Sequence, residues 1–211
     1  METITLEIED LEVNPVKMPV VIEDALTIET CNFLTAFIYQ NPNAFLNEDT
    51  QLIPQFKNKT ISFKLLHRSM PEPFGDVERA LNYARFVGQK NIIEHFGEYC
   101  YPENTELTRW FPGDNMSVHA DNSWPEEAKD QMKDHPHPTA YRDYSGIFYL
   151  NDAYGGGEIY FPRLDVEIKP KLGSLVIFPS GLDHIHGVKT VEEHNRYTIA
   201  VWYTKEAAWL E

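Results

Sequence analysis

The sequence predicts a mainly β fold with flanking helices, and three observations predict it. Beyond about residue 105, short β-branched and aromatic runs alternate with turn residues about every 8–12 positions, the texture of a sandwich or barrel. Before that point, two tracts carry apolar residues at helical spacing. Between the halves there is no repeat, low-complexity tract or Gly/Ser linker, so one domain over 1–211 is expected, with 1–104 as helical support and 105–205 as the β core.

The first helical tract covers residues 27–40, where Ile28, Leu34, Phe37 and Ile38 share a face and Asn41-Pro42 stops the run. The second runs over about 75–98, from Gly75-Asp76 through Ala80, Leu81, Ala84, Val87, Ile92, Ile93 and Phe96. The strand candidates then follow in order. LTRWF precedes PGDN, YSGIFYLN precedes the glycines 155–157, GEIYF precedes PRLD, SLVIFP precedes SGLD, and YTIAVWYT closes the series.

Apolar residues make up 42% and aromatics 13% of the 211 residues, enough for a sizeable core and too much for a disordered chain. No apolar run approaches the ~20 residues of a membrane-spanning helix. The start, METITLEIEDLEVNP, is acidic and lacks the basic-then-apolar pattern of a secretory signal, so a soluble, cytoplasmic protein is expected. The net charge of −15 repels a phosphate backbone, and no nucleic-acid partner is expected. Cys31 and Cys100 read as two buried free thiols rather than a disulfide framework.

Residues 119–121 read His-Ala-Asp. On a strand, positions i and i+2 share a face, so His119 and Asp121 can offer an imidazole and a carboxylate to one ion. Alone the pair is far more readily a surface pair. A second His would complete the two-His, one-carboxylate set that holds non-haem Fe(II) with open positions left over. His184 and His186, two apart on one expected strand, both qualify, and alternation does not separate them. Ten residues after His186, Arg196 opens the strand YTIAVWYT, on which Arg196, Thr198, Ala200 and Trp202 share a face. A buried Arg needs an anion. That anion is either a structural glutamate, Glu167 or Glu158, or a bound dicarboxylate gripped by the guanidinium fork. His135 and His137, between prolines, read as exposed loop residues, with His137 at the rim of a site; His67 and His95 read as surface or core histidines.

Four blocks together resemble the Fe(II)/2-oxoglutarate-dependent oxygenases of the prolyl 4-hydroxylase type: RWFPGDNMSVHAD, YSGIFYLNDAYGGGEIYF, KPKLGSLVIFPS and HGVKTVEEHNRYTIAVWYT. Their order and spacing agree with the family over roughly residues 105–205. The resemblance implies a double-stranded β-helix, the cupin-like jelly roll, with the metal in its mouth. It implies His119, Asp121 and His186 as Fe(II) ligands, and this, with the HGV context and the offset to Arg196, favours His186 over His184. It also implies Arg196 and Tyr149 on the distal carboxylate of 2-oxoglutarate, with Thr198 lining the same pocket. Trp202 matches an aromatic at the barrel end. Trp110-Phe111 stands where many members carry Tyr, so a contact from that hydroxyl is not carried over.

The implied activity is hydroxylation of a C–H bond, foremost in a prolyl or other residue of a peptide or protein, with ascorbate as a possible reductant. A free amino acid, small metabolite or nucleobase is the alternative substrate, and a non-catalytic metal-binding jelly roll acting as a sensor or binding module is the alternative of another class. Loop 122–143, polar and proline-bearing, follows the ligand pair and reads as a lid or as plain surface.

Overall fold

The computed structural model describes residues 16–42, 60–62, 75–124 and 135–207. His67 and residues 125–134 of loop 122–143 therefore lie outside the described residues.

Among the described residues, ten strands form two antiparallel sheets. They are β1 (Val20–Ile22), β2 (Thr60–Ser62), β3 (Tyr101–Trp110), β4 (Met116–His119), β5 (Tyr144–Tyr149), β6 (Ile159–Phe161), β7 (Val166–Ile168), β8 (Leu175–Pro179), β9 (His186–Val188) and β10 (Arg196–Thr204). The larger sheet has the order β1-β8-β5-β10-β3-β2, and the smaller has β4-β9-β6-β7. This is the two-sheet jelly roll expected from the sequence. The N-terminal half is not purely helical support, because β1 and β2 close the two edges of the larger sheet. Strands of three residues are too short to betray their period, which is why the sequence does not announce them.

Both helical tracts form helices, α1 (Ile28–Gln40) and α2 (Gly75–Phe96). Thr27 caps α1 by accepting the Thr30 N–H, and the Asn41 N–H and side-chain amide both return to the Phe37 carbonyl. Pro42 follows, where it cannot continue the helix. Their buried faces, Cys31, Leu34 and Ile38 on α1 with Val77, Leu81, Ala84 and Ile92 on α2, join the outward-facing Leu107, Phe148, Ile177, Ile199, Val201 and Tyr203 of the larger sheet in one core. Cys31 and Cys100 are free and buried. No helix among the described residues is long and apolar enough to cross a membrane.

The opposite face of the larger sheet looks into the space between the sheets. Register across β3, β10 and β5 puts its side chains in rows: Thr108–Thr198–Tyr149, Glu106–Ala200–Ile147 and Asn104–Trp202–Ser145. The first row is buried, whereas Glu106, Ala200 and Ile147 are only half-buried. A central strand whose other face is covered by helices can be open only where the lumen is open. The second row therefore marks the mouth, and the first row the closed end.

One helix–sheet contact is tight enough to test. Tyr203 is fully buried and donates its hydroxyl to the Arg85 carbonyl at 3.2 Å. A Cβ on Gly88 of α2 would sit 1.9 Å from that hydroxyl oxygen. Helix propensity alone favours Ala over Gly by ~1 kcal/mol, but overpacking a rigid site costs about 1–3 kcal/mol. Gly88→Ala should lower the urea midpoint, and Gly88→Ala with Tyr203→Phe should recover part of the loss.

Candidate active site

His119 ends β4 and His186 begins β9, and the two are directly paired across the strands. Their rings lie 4.5 Å apart, centroid to centroid. Asp121 stands just beyond β4 rather than on it. Its N–H crosses to the Ser180 carbonyl at the end of β8, 3.1 Å away. The carboxylate so placed reaches both imidazoles, with Oδ1 at 3.6 Å from His119 Nε2 and Oδ2 at 3.8 Å from His186 Nε2. Ligand atoms of the three residues all fall within 4.8 Å of one another.

Proton positions follow from the backbone. His119 Nδ1 faces the Ser117 carbonyl at 2.9 Å, and His186 Nδ1 faces the His184 carbonyl at 3.0 Å. A carbonyl only accepts, so each Nδ1 carries hydrogen, and Nε2 is the ring atom that each imidazole turns towards Asp121. Burial pushes the His186 imidazole down to about 4, so this ring is neutral near pH 7. For Asp121, burial opposes ionisation, but the two imidazoles and the Ser145 hydroxyl outweigh it and hold the carboxyl well below the usual range. Ser145 Oγ donates to Oδ2 at 2.5 Å and lies 2.8 Å from Ser180 Oγ. Two imidazoles, which ligate in their neutral form, and one carboxylate make up the donor set that suits Fe(II).

His184 is separated from this group. It is not on the strand with His186, as the sequence suggested, but in a 3-10 turn (Leu182–His184) that turns its Nε2 to the Lys17 carbonyl. His95 is exposed. His137 approaches the group from the loop, stacking edge-on to Trp124 at 4.6 Å, while Thr139 donates to the Asp121 carbonyl at 2.7 Å.

Arg196, Thr198 and Tyr149 come together at the closed end of the lumen. Arg196 is 1% exposed, yet its Nε and Nη1 have no hydrogen-bond partner, and neither have the hydroxyls of Tyr149 and Tyr154. The two structural partners considered for Arg196 are engaged elsewhere, Glu167 with Lys189 at 2.6 Å and Glu158 with Lys169 at 3.1 Å. Three buried side chains thus offer hydrogen-bonding groups to a space that no described acid fills, an arrangement costly without a ligand. The guanidinium carbon stands 4.9 Å from the Trp110 ring centre and 5.0 Å from that of Tyr149. Burial pushes the Tyr149 phenol up to about 12 against the pull of the Arg196 guanidinium, so it remains a donor at neutral pH. Thr198 Oγ1 accepts the Trp110 indole N–H at 3.2 Å, leaving its own proton to give. Gly157 makes room for this corner: its φ is +69°, and a Cβ there would lie 2.9 Å from the Tyr154 ring and 3.0 Å from Arg196 Cδ.

Sequence reasoning did not assign Tyr154, Ser145 or Ser180 to the site, and it treated Trp110 only as a departure from a family pattern. Trp110 was accessible to alternation along β3, since it shares a face with Thr108. The two serines were not, because their role depends on which strands become neighbours.

Residues 105–204 match the model of the 2OG-Fe(II) oxygenase superfamily. Prolyl 3-hydroxylase 2 of Mus musculus is 35% identical over 99 residues, covering 44% of this chain and 14% of the relative. Prolyl 3-hydroxylase 1 of Mus musculus is 43% identical over 93 residues, covering 41% and 12%. The chain thus spans only a small part of the length of these relatives. Among solved structures, the viral collagen prolyl hydroxylase of Paramecium bursaria Chlorella virus-1, in its 2OG complex, superposes with a TM-score of 0.64 at 18% identity, over 88% of this chain and 94% of that one. A prolyl-4-hydroxylase of Pseudomonas putida gives 0.59 at 15% identity, over 90% and 93%. These two likenesses show the jelly-roll fold, and it is the β half of this chain, residues 105–204, that matches the 2OG-Fe(II) oxygenase superfamily.

Proposed function

We propose that this chain is an Fe(II)- and 2-oxoglutarate-dependent oxygenase that hydroxylates a prolyl residue of a peptide or protein. The observation that carries the reading is one lumen holding two complementary features: a His-Asp-His donor group and, deeper, a buried arginine and two tyrosines without an anion. A metal-binding module with no turnover has no use for the second feature.

In this reading His119, Asp121 and His186 hold the iron. Arg196 and Tyr149 take the distal carboxylate of 2-oxoglutarate, Arg196 through charge-assisted hydrogen bonds and Tyr149 through its hydroxyl, with Thr198 beside them. Iron and 2-oxoglutarate together supply the oxidising chemistry, in which O₂ and decarboxylation to succinate are coupled to hydroxylation of a C–H bond. The chain itself supplies placement. The Nδ1–H bonds to Ser117 and His184 keep both imidazoles oriented, and Ser145 restrains one oxygen of Asp121. Burial of the Arg196 corner excludes the water that would compete for the guanidinium. The substrate class rests on the names of the relatives, which are prolyl 3-hydroxylases in sequence and prolyl 4-hydroxylases in fold.

His119→Ala or Asp121→Ala should reduce iron-dependent succinate formation to background, while His184→Ala, outside the group, should keep most of it. Loss in His184→Ala with retention in His186→Ala would reverse the ligand assignment. Arg196→Ala should raise the 2-oxoglutarate concentration for half-maximal turnover about tenfold or more, since it removes charge-assisted bonds rather than an iron ligand. An unchanged requirement would contradict the pocket assignment. With proline-rich peptides, mass spectrometry should find a 16 Da gain on proline, and the position on the ring would separate 3- from 4-hydroxylation. Stimulation by free amino acids alone would move the substrate to the small-molecule class.

A further inference from the structure

Glu106 is the acid in the lumen that the proposed chemistry does not use. It sits in the middle of β3, paired with Ala200, and its row across the sheet is the half-open one at the mouth. Next to it lies the row of Trp202 and Ser145, and Ser145 is the residue that holds Asp121. Glu106 therefore stands beside the path a substrate takes to the iron group.

Its surroundings leave its charge unmatched. Arg142 is the nearby cation, but it is committed to Glu103, with Nε 3.1 Å from Oε2, and is stacked on the Trp202 ring at 4.1 Å. What Glu106 does receive is one neutral hydrogen bond, from Asn104 Nδ2 at 3.2 Å. Among the described residues no cation lies within ion-pair distance of it. Burial pushes its carboxyl up to about 7, and the nearby carboxylates Glu103 and Asp121 add to that against the pull of Arg142 and Asn104. A carboxyl with purely structural duties is matched by a cation or replaced by an amide at little cost. Its cross-strand neighbour is Ala200, whose methyl side chain offers no partner, and both residues are half-buried.

We infer that Glu106 is a specificity-determining residue, which receives a protonated nitrogen of the substrate as it enters the lumen. This rests on the peptidyl-prolyl reading above and deepens it: the preferred sequence carries a lysine or arginine close to the target proline. The cation completes the ion pair that the fold leaves open, and its binding is strengthened by the low-dielectric walls of the mouth. The same chemistry is available from the ring nitrogen of free proline, which is protonated as an amino acid and uncharged within a peptide.

The test is hydroxylation of proline peptides in which lysine is moved from two residues before the proline to two after it, each paired with its acetyl-lysine counterpart, with free L-proline as a separate arm. At one or more positions the wild-type enzyme should favour the charged peptide about tenfold or more in kcat/KM, the worth of a charge-assisted bond. Glu106→Gln, nearly isosteric, should bring the charged-to-neutral ratio close to one, and Glu106→Asp should retain a preference. Equal use of charged and acetylated peptides by the wild-type enzyme at every position overturns this inference and leaves the peptidyl-prolyl reading standing. Hydroxylation of free proline alone, with a loss specific to Glu106→Gln, keeps the cation role and overturns the peptide source. Absence of hydroxylation on every peptide and on proline overturns the substrate reading, and the inference falls with it.

Discussion

Three ligand atoms can meet at one point only if the backbone segments that carry them are fixed by something other than the ion. In this protein that constraint is the cross-strand pairing of His119 with His186, joined to the Asp121 N–H bond that reaches the Ser180 carbonyl. The first belongs to the smaller sheet and the second ties that sheet to the larger one. Because side chains alternate along a strand, a one-residue slip in the β4–β9 register would turn one imidazole out of the lumen. The Nδ1–H bonds to the backbone then leave both Nε2 lone pairs free. The donor group is thus held in place by the fold before any ion arrives, and a supporting shell of this kind is what allows a metal site to be both open and ordered.

The lumen is graded from end to end. Its closed end has buried donors with no acceptor, Arg196, Tyr149 and Tyr154, and so favours an anion. The His-Asp-His group stands by the row beyond Glu106, where Ser145 holds Asp121. Its mouth carries carboxylates, Glu103 and Glu106, with one guanidinium between them. An anion deep and a cation at the entrance is an order that can separate a dicarboxylate co-substrate from a substrate by charge. The helices act from the far side, filling the outer face of the larger sheet so that its inner face alone is available for polar residues.

Much of this was legible in the sequence, for identifiable reasons. The helices declared themselves by period and by their stops, Asn41-Pro42 above all, and the longer strands by alternation between turn residues. His119 and Asp121 were readable as a pair because two-residue spacing is a local property, although Asp121 in fact lies past the end of its strand. The shared face of Arg196 and Thr198 was equally local. What periodicity could not supply was the choice between His184 and His186, because a 3-10 turn interrupts the expected strand between them. Nor could it supply the absence, among the described residues, of an acid beside Arg196, the Ser145–Ser180 brace on Asp121, or the half-buried place of Glu106 in the lumen. Each depends on which strands become neighbours, and that is decided by the assembled sheets.

The central claim is that one lumen holds Fe(II) and 2-oxoglutarate side by side, and it is tested most directly without turnover. Fe(II)-loaded protein would be titrated with 2-oxoglutarate in the absence of oxygen, following the weak visible charge-transfer band of the iron chelate. The account predicts a band that saturates, needs more 2-oxoglutarate in Arg196→Ala, and is lost in Asp121→Ala. Iron that binds at His119, Asp121 and His186 yet gives no band with 2-oxoglutarate would contradict it.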